Sequence, residues 1–99
     1  MKLPTELLID GAFVAGEGEA EKVLNPATGE LLVALPEASP DQVNKAVSAA
    51  HRAFDGWGET TAMERSRLLL KLADAIESRA EAFARLESLN CGKPYARAL

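Results

Sequence analysis

Short apolar runs broken by Gly, Asp and Pro occupy the first 36 residues, whereas from residue 39 onward apolar residues recur every three or four positions. The first rhythm predicts strands and the second predicts helices. Leu7-Leu8-Ile9 and Ala12-Phe13-Val14 flank Asp10-Gly11, a dipeptide suited to the positive backbone angles of a tight hairpin turn. Gly16 and Gly18 mark a looser connection to Lys22-Val23-Leu24, and Pro26, Thr28 and Gly29 form a turn into Leu31-Leu32-Val33-Ala34-Leu35. These short strands carry few large side chains and predict a thin sheet that needs another layer on its apolar face.

The second part begins with a start signal. Ser39-Pro40-Asp41-Gln42 places an N-cap serine before a proline at the first helical position, with glutamine three residues after the cap. Val43, Val47, Ala50 and Phe54 then form one stripe, and Gly56 and Gly58, on either side of Trp57, are expected to stop the helix. Thr61-Ala62-Met63-Glu64 is a second capping box, opening a helix that places Leu69, Leu72, Ala73 and Ile76 on one face. Ser78 and Glu81 repeat the capping spacing, so the helix is expected to kink or restart there before Phe83, Leu86 and Leu89. Gly92 supplies a C-terminal stop and Pro94 prevents simple continuation. The expected fold is α/β, with short strands and a hairpin over 1–38 followed by an antiparallel helical hairpin over 39–92. Neither half is large enough to stand alone, so 1–99 is read as one subdomain.

Composition narrows the function classes. Ninety-nine residues, 47% hydrophobic and 26% charged, describe a globular chain of one domain at most. Eleven basic against fifteen acidic side chains give a net charge of −4, with no run of five like charges. That argues against nucleic acid as a partner, because phosphate neutralisation needs a basic face. A single cysteine without zinc-ligand spacing suits a reducing compartment. The start, Met1-Lys2-Leu3-Pro4-Thr5-Glu6, lacks the apolar core and cleavage site of a secretory signal, and no stretch nears the roughly 20 apolar residues of a membrane span. The expectation is a soluble, cytoplasmic protein.

Two segments carry more than structure: Asn25-Pro26-Ala27-Thr28-Gly29-Glu30, and Leu86-Glu87-Ser88-Leu89-Asn90-Cys91-Gly92-Lys93-Pro94-Tyr95. Together and at this spacing they resemble the amino-terminal portion of NAD(P)-dependent aldehyde dehydrogenases, in which an NPATGE turn precedes a helical hairpin that closes on an LE(S/T)xxxGKP run. The resemblance covers nearly the whole chain but only the start of that family's subunit. It implies that 1–99 is the N-terminal part of the NAD-binding domain, with the nucleophile, general base and dinucleotide pocket downstream. No catalytic or cofactor-binding residue is therefore expected here, and the isolated chain is expected to be inactive. The resemblance further implies an aldehyde substrate, NAD as cofactor and a homo-oligomeric full-length protein.

Each candidate residue has a plainer reading beside it. Cys91 occupies a variable position before Gly-Lys-Pro, away from any sequence-adjacent base, and is expected to be a structural thiol. Gly92-Lys93 fails as a phosphate loop, lacking the earlier glycine, the following Ser or Thr and a preceding strand. Glycines 11, 16, 18 and 29 form no GxGxxG fingerprint. His51 is read as a solvated helix residue and Trp57 as an anchor of the helical hairpin. The resemblance also implies a monovalent cation held by the backbone carbonyls of Val23 and Leu24 and by the side chain of Asn90. Many relatives carry aspartate at that last position, and one further ligand would lie outside these residues. Hard cations accept neutral oxygen donors, so the set is chemically sufficient. The other reading makes Asn90 a helix C-cap amide beside Gly92.

The combination LLIDGAFV, VLNPATGE, LLKLADAIE and LESLNCGKP is most similar to gamma-aminobutyraldehyde dehydrogenases of putrescine degradation. Betaine aldehyde and then a general aliphatic aldehyde follow as alternatives. A reading from another class is a non-catalytic helical interaction module that inherited this segment. A reading frame continuing well beyond Leu99 would remove that alternative.

Overall fold

The computed structural model describes residues 2–99. Four strands, β1 (Leu7–Ile9), β2 (Ala12–Val14), β3 (Ala20–Leu24) and β4 (Leu31–Pro36), precede α1 (Pro40–Glu59), α2 (Ala62–Glu77), α3 (Ala80–Cys91) and α4 (Tyr95–Ala98). They divide between two compact units, one comprising Met1–Val23 and Val33–Glu59, the other Leu24–Leu32 and Thr60–Leu99.

In the first unit β1 and β2 pair antiparallel, with Leu7 opposite Val14, Leu8 opposite Phe13 and Ile9 opposite Ala12. Asp10 (φ 52°) and Gly11 (φ 74°) both take left-handed angles, as a two-residue turn of this twist requires. β3 and β4 form a separate two-stranded ribbon, so the strands make two ribbons where one thin sheet was expected. The connection between the ribbons is held by one buried side chain and a set of backbone bonds. Gln42, 4% exposed, accepts hydrogen bonds at Oε1 from the backbone N–H groups of Glu17 (2.9 Å) and Ser39 (3.1 Å), and its Nε2 donates to the Ala15 carbonyl (2.8 Å). The Gly18 N–H donates to the Glu37 carbonyl at 2.8 Å, and the Glu37 N–H donates to the Glu19 carbonyl at 3.0 Å. A Cβ on Gly16 would collide with the carbonyl oxygens of Pro36 and Glu37, so only glycine lets the chain pass so close.

The helix starts follow their caps. The Gln42 N–H donates to Ser39 Oγ at 3.2 Å, closing the first capping box together with the Ser39 N–H bond to the Gln42 side chain. α1 packs on β1, and an exposed ion pair, Arg52 to Asp10 at 3.3 Å, ties it to the hairpin turn at little energetic gain. Gly56 and Gly58 do not stop α1, which runs on to Glu59. A glycine inside a helix costs only about 1 kcal/mol relative to alanine, which does not outweigh continued helical bonding.

In the second unit Thr61 and Glu64 form the expected box: the Glu64 N–H donates to Thr61 Oγ1 at 3.1 Å, and the Thr61 N–H donates to Glu64 Oε2 at 2.8 Å. The chain restarts where expected, between α2 and α3, but Ser78 plays a different part. Its backbone is helical (φ −62°, ψ −14°) and its hydroxyl donates to the Ala75 carbonyl at 2.9 Å, making it the C-cap of α2. An N-cap requires extended backbone, and Arg79 enters α3 without a side-chain cap. α3 packs against α2 and α4.

Little of this is interior. Among the described residues Ala84 is the buried apolar side chain and Gln42 the buried polar one. The stripe residues Val43, Val47 and Phe54 of α1 and Leu69, Leu72 and Ile76 of α2 remain between 48 and 70% exposed. The total accessible surface is 8058 Å². A folded monomer of this mass exposes roughly 5,500 Å², and even two separate bodies of half the mass would expose roughly 6,600 Å².

Candidate cation site at the end of α3

Residues 25–30 fold into a turn organised by Asn25. Its carbonyl accepts from the N–H groups of Thr28 (3.3 Å) and Gly29 (2.7 Å), while its side-chain Oδ1 accepts from the Ala27 N–H (3.0 Å). The Glu30 N–H donates to Thr28 Oγ1 at 3.2 Å, and the Asn25 N–H donates to the Glu30 carbonyl at 2.8 Å, closing the loop. Gly29 takes φ 76°. Each residue of the NPATGE motif that can bend the chain or bond its own backbone is used locally.

The other motif ends α3. Gly92 caps the helix in the left-handed conformation (φ 76°) and its N–H donates to the Ser88 carbonyl at 3.0 Å. A Cβ at Gly92 would stand 3.2 Å from Cγ of Pro26, so the turn and the helix end lie in contact. Leu24 and Asn90 flank this contact in sequence and share the second unit, and Val23 immediately precedes Leu24 in the chain. Leu24 and Asn90 are exposed and Val23 is half-buried. Asn90 lies within α3, two residues before the cap, so the C-cap role belongs to Gly92.

Cys91 is exposed, and its thiol donates to the Glu87 carbonyl at 3.2 Å, one turn back on its own helix. Lys93 Nζ lies 4.0 Å from Glu87 Oε1, an exposed pairing of little energetic weight. Among the described residues no group of three or more His, Cys, Asp or Glu side chains is placed to hold a metal. The oxygen donors proposed from carbonyls and an amide are of another kind.

Dinucleotide phosphates are commonly met by free N–H groups at a helix start. At the starts of α1 and α2, Ser39 with Gln42 and Thr61 with Glu64 satisfy the cap and third-position N–H groups reciprocally. Elsewhere, just after β4, the Glu37 carboxyl is raised above its usual range by a hydrogen bond with Glu21, by the negative charge of Glu21 and by desolvation.

The profile of the aldehyde dehydrogenase family matches residues 13–99. The chain belongs to the aldehyde dehydrogenase family. It is 43% identical over 98 residues to the mitochondrial aldehyde dehydrogenase family 2 member B4 of Arabidopsis thaliana, covering 96% of this chain and 18% of that protein. It is 46% identical over 90 residues to the (Z)-2-((N-methylformamido)methylene)-5-hydroxybutyrolactone dehydrogenase of Acinetobacter baylyi, covering 89% of this chain and 18% of that one. Among solved structures, PnpE in complex with nicotinamide adenine dinucleotide superposes with a TM-score of 0.90 at 44% identity, covering 97% of this chain and 20% of PnpE. Betaine aldehyde dehydrogenase of Staphylococcus aureus superposes at 0.88 with 31% identity, covering 97% of this chain and 20% of that one. The chain thus spans about a fifth of the length of the relatives it matches. The expected α/β arrangement of short strands followed by helices is that of an aldehyde dehydrogenase N-terminal segment. No helix among the described residues is long and apolar enough to cross a membrane.

Two features escaped the sequence. The capping role of Gln42 was readable from its spacing to Ser39, but its grip on Ala15 and Glu17 joins positions 25 and 27 residues apart and leaves no local signal. The contact of Pro26 with Gly92 has a weak signal, since each motif places a ring or a bare α-carbon at a chain reversal.

Proposed function

We propose that these residues form the N-terminal part of the cofactor-binding domain of an NAD-dependent aldehyde dehydrogenase, which oxidises an aldehyde to its carboxylic acid. The observation that carries the reading is the family match across residues 13–99. The large exposed surface supports a role inside a longer polypeptide, because apolar stripes of this extent gain stability only when covered. Residues 1–38 and 39–92 would supply its strand and helix layers. In the complete enzyme, bound NAD would supply the acceptor for the hydride lost by the aldehyde. The nucleophile and the NAD pocket are assigned to other parts of the polypeptide.

The substrate placed first is gamma-aminobutyraldehyde, oxidised to gamma-aminobutyrate in putrescine degradation. The support is the motif combination LLIDGAFV, VLNPATGE, LLKLADAIE and LESLNCGKP. Betaine aldehyde comes second, favoured by the structural likeness to the Staphylococcus aureus enzyme, and a general aliphatic aldehyde third. The carbonyls of Val23 and Leu24 and the amide oxygen of Asn90 would hold a monovalent cation, which would brace the turn against the end of α3. The complete enzyme is proposed to be a cytoplasmic homo-oligomer, and the unbridged Cys91 thiol is in keeping with a reducing compartment.

The test is NAD reduction by the purified complete polypeptide with the three aldehydes at matched concentrations. Highest kcat/KM for gamma-aminobutyraldehyde is expected. A higher value for either alternative would reassign the substrate. No turnover of any aldehyde would overturn the enzymatic reading in favour of the non-catalytic module.

A further inference from the structure

We draw no further inference here: the strongest candidate, the apolar groove where β1 meets the first turns of α1, lined by Leu8, Ala38, Val43 and Val47, is an unpartnered face, and nothing in the structure shows what covers it.

Discussion

The ring of Pro26 lies against the α-carbon of Gly92, so close that a methyl group on Gly92 would stand 3.2 Å from Cγ of the proline. Gly29, in the same unit, has the same φ of 76° but nothing within 4 Å of its would-be Cβ. The pair separates backbone strain from crowding. Gly29→Ala should cost only the left-handed penalty, about 1–2 kcal/mol. Gly92→Ala should cost more, and adding Pro26→Ala should recover the excess. Denaturant midpoints of the complete polypeptide read the difference. Equal losses at the two glycines would show that the proline contact is immaterial.

A second prediction concerns pH. Glu37 is held above the ordinary carboxylate value of 4.5, first by its hydrogen bond with Glu21 and next by that residue's charge. A carboxyl that binds its proton more tightly when folded stabilises the fold at low pH. That contribution is complete below the ordinary value and is lost as pH rises through the raised one. Glu21→Gln removes the repulsion, so it should raise the thermal midpoint at neutral pH and flatten its fall with rising pH. An unchanged slope across the carboxylate range would contradict the pairing.

The local parts of this fold were legible because their causes are local. Asp10-Gly11 specifies its turn, Thr61 with Glu64 and Ser39 with Gln42 specify helix starts, and Gly92 specifies an end. Local rules give way where they compete with helix continuation. Gly56 and Gly58 are weak breakers that the helix absorbs, and Ser78 has a hydroxyl that bonds backward to Ala75 as readily as forward. Gln42 reaches Ala15 and Glu17 in the connection between the two ribbons, a contact with no sequence periodicity. For the candidate site, the motifs indicated which segments matter, while the contact of Pro26 with Gly92 emerged only from the fold.

The cation proposal predicts a specific salt effect. Potassium or sodium should raise the thermal stability of the complete polypeptide more than a bulky organic cation at equal ionic strength, since binding to the folded state stabilises it by mass action. Asn90→Ala removes one oxygen ligand and should shrink that difference, whereas Asn90→Asp should enlarge it by adding charge. Cys91→Ala should leave it intact, because a thiol is a soft donor. Equal destabilisation of Asn90→Ala in both salts would make Asn90 a purely structural residue of the last turn of α3.

The central claim is that these residues supply framework while the reacting groups lie elsewhere in the polypeptide, and Cys91 is where that claim is most exposed. Its exposed thiol donates to the Glu87 carbonyl of its own helix. The deciding measurement is kcat of the complete enzyme carrying Cys91→Ser, followed by NAD reduction with gamma-aminobutyraldehyde. Turnover within about twofold of the unaltered enzyme is predicted, since exposed substitutions away from special features shift energies by only about 0.5 kcal/mol. Loss of turnover in a variant with an unchanged thermal midpoint would contradict the account and make Cys91 the nucleophile.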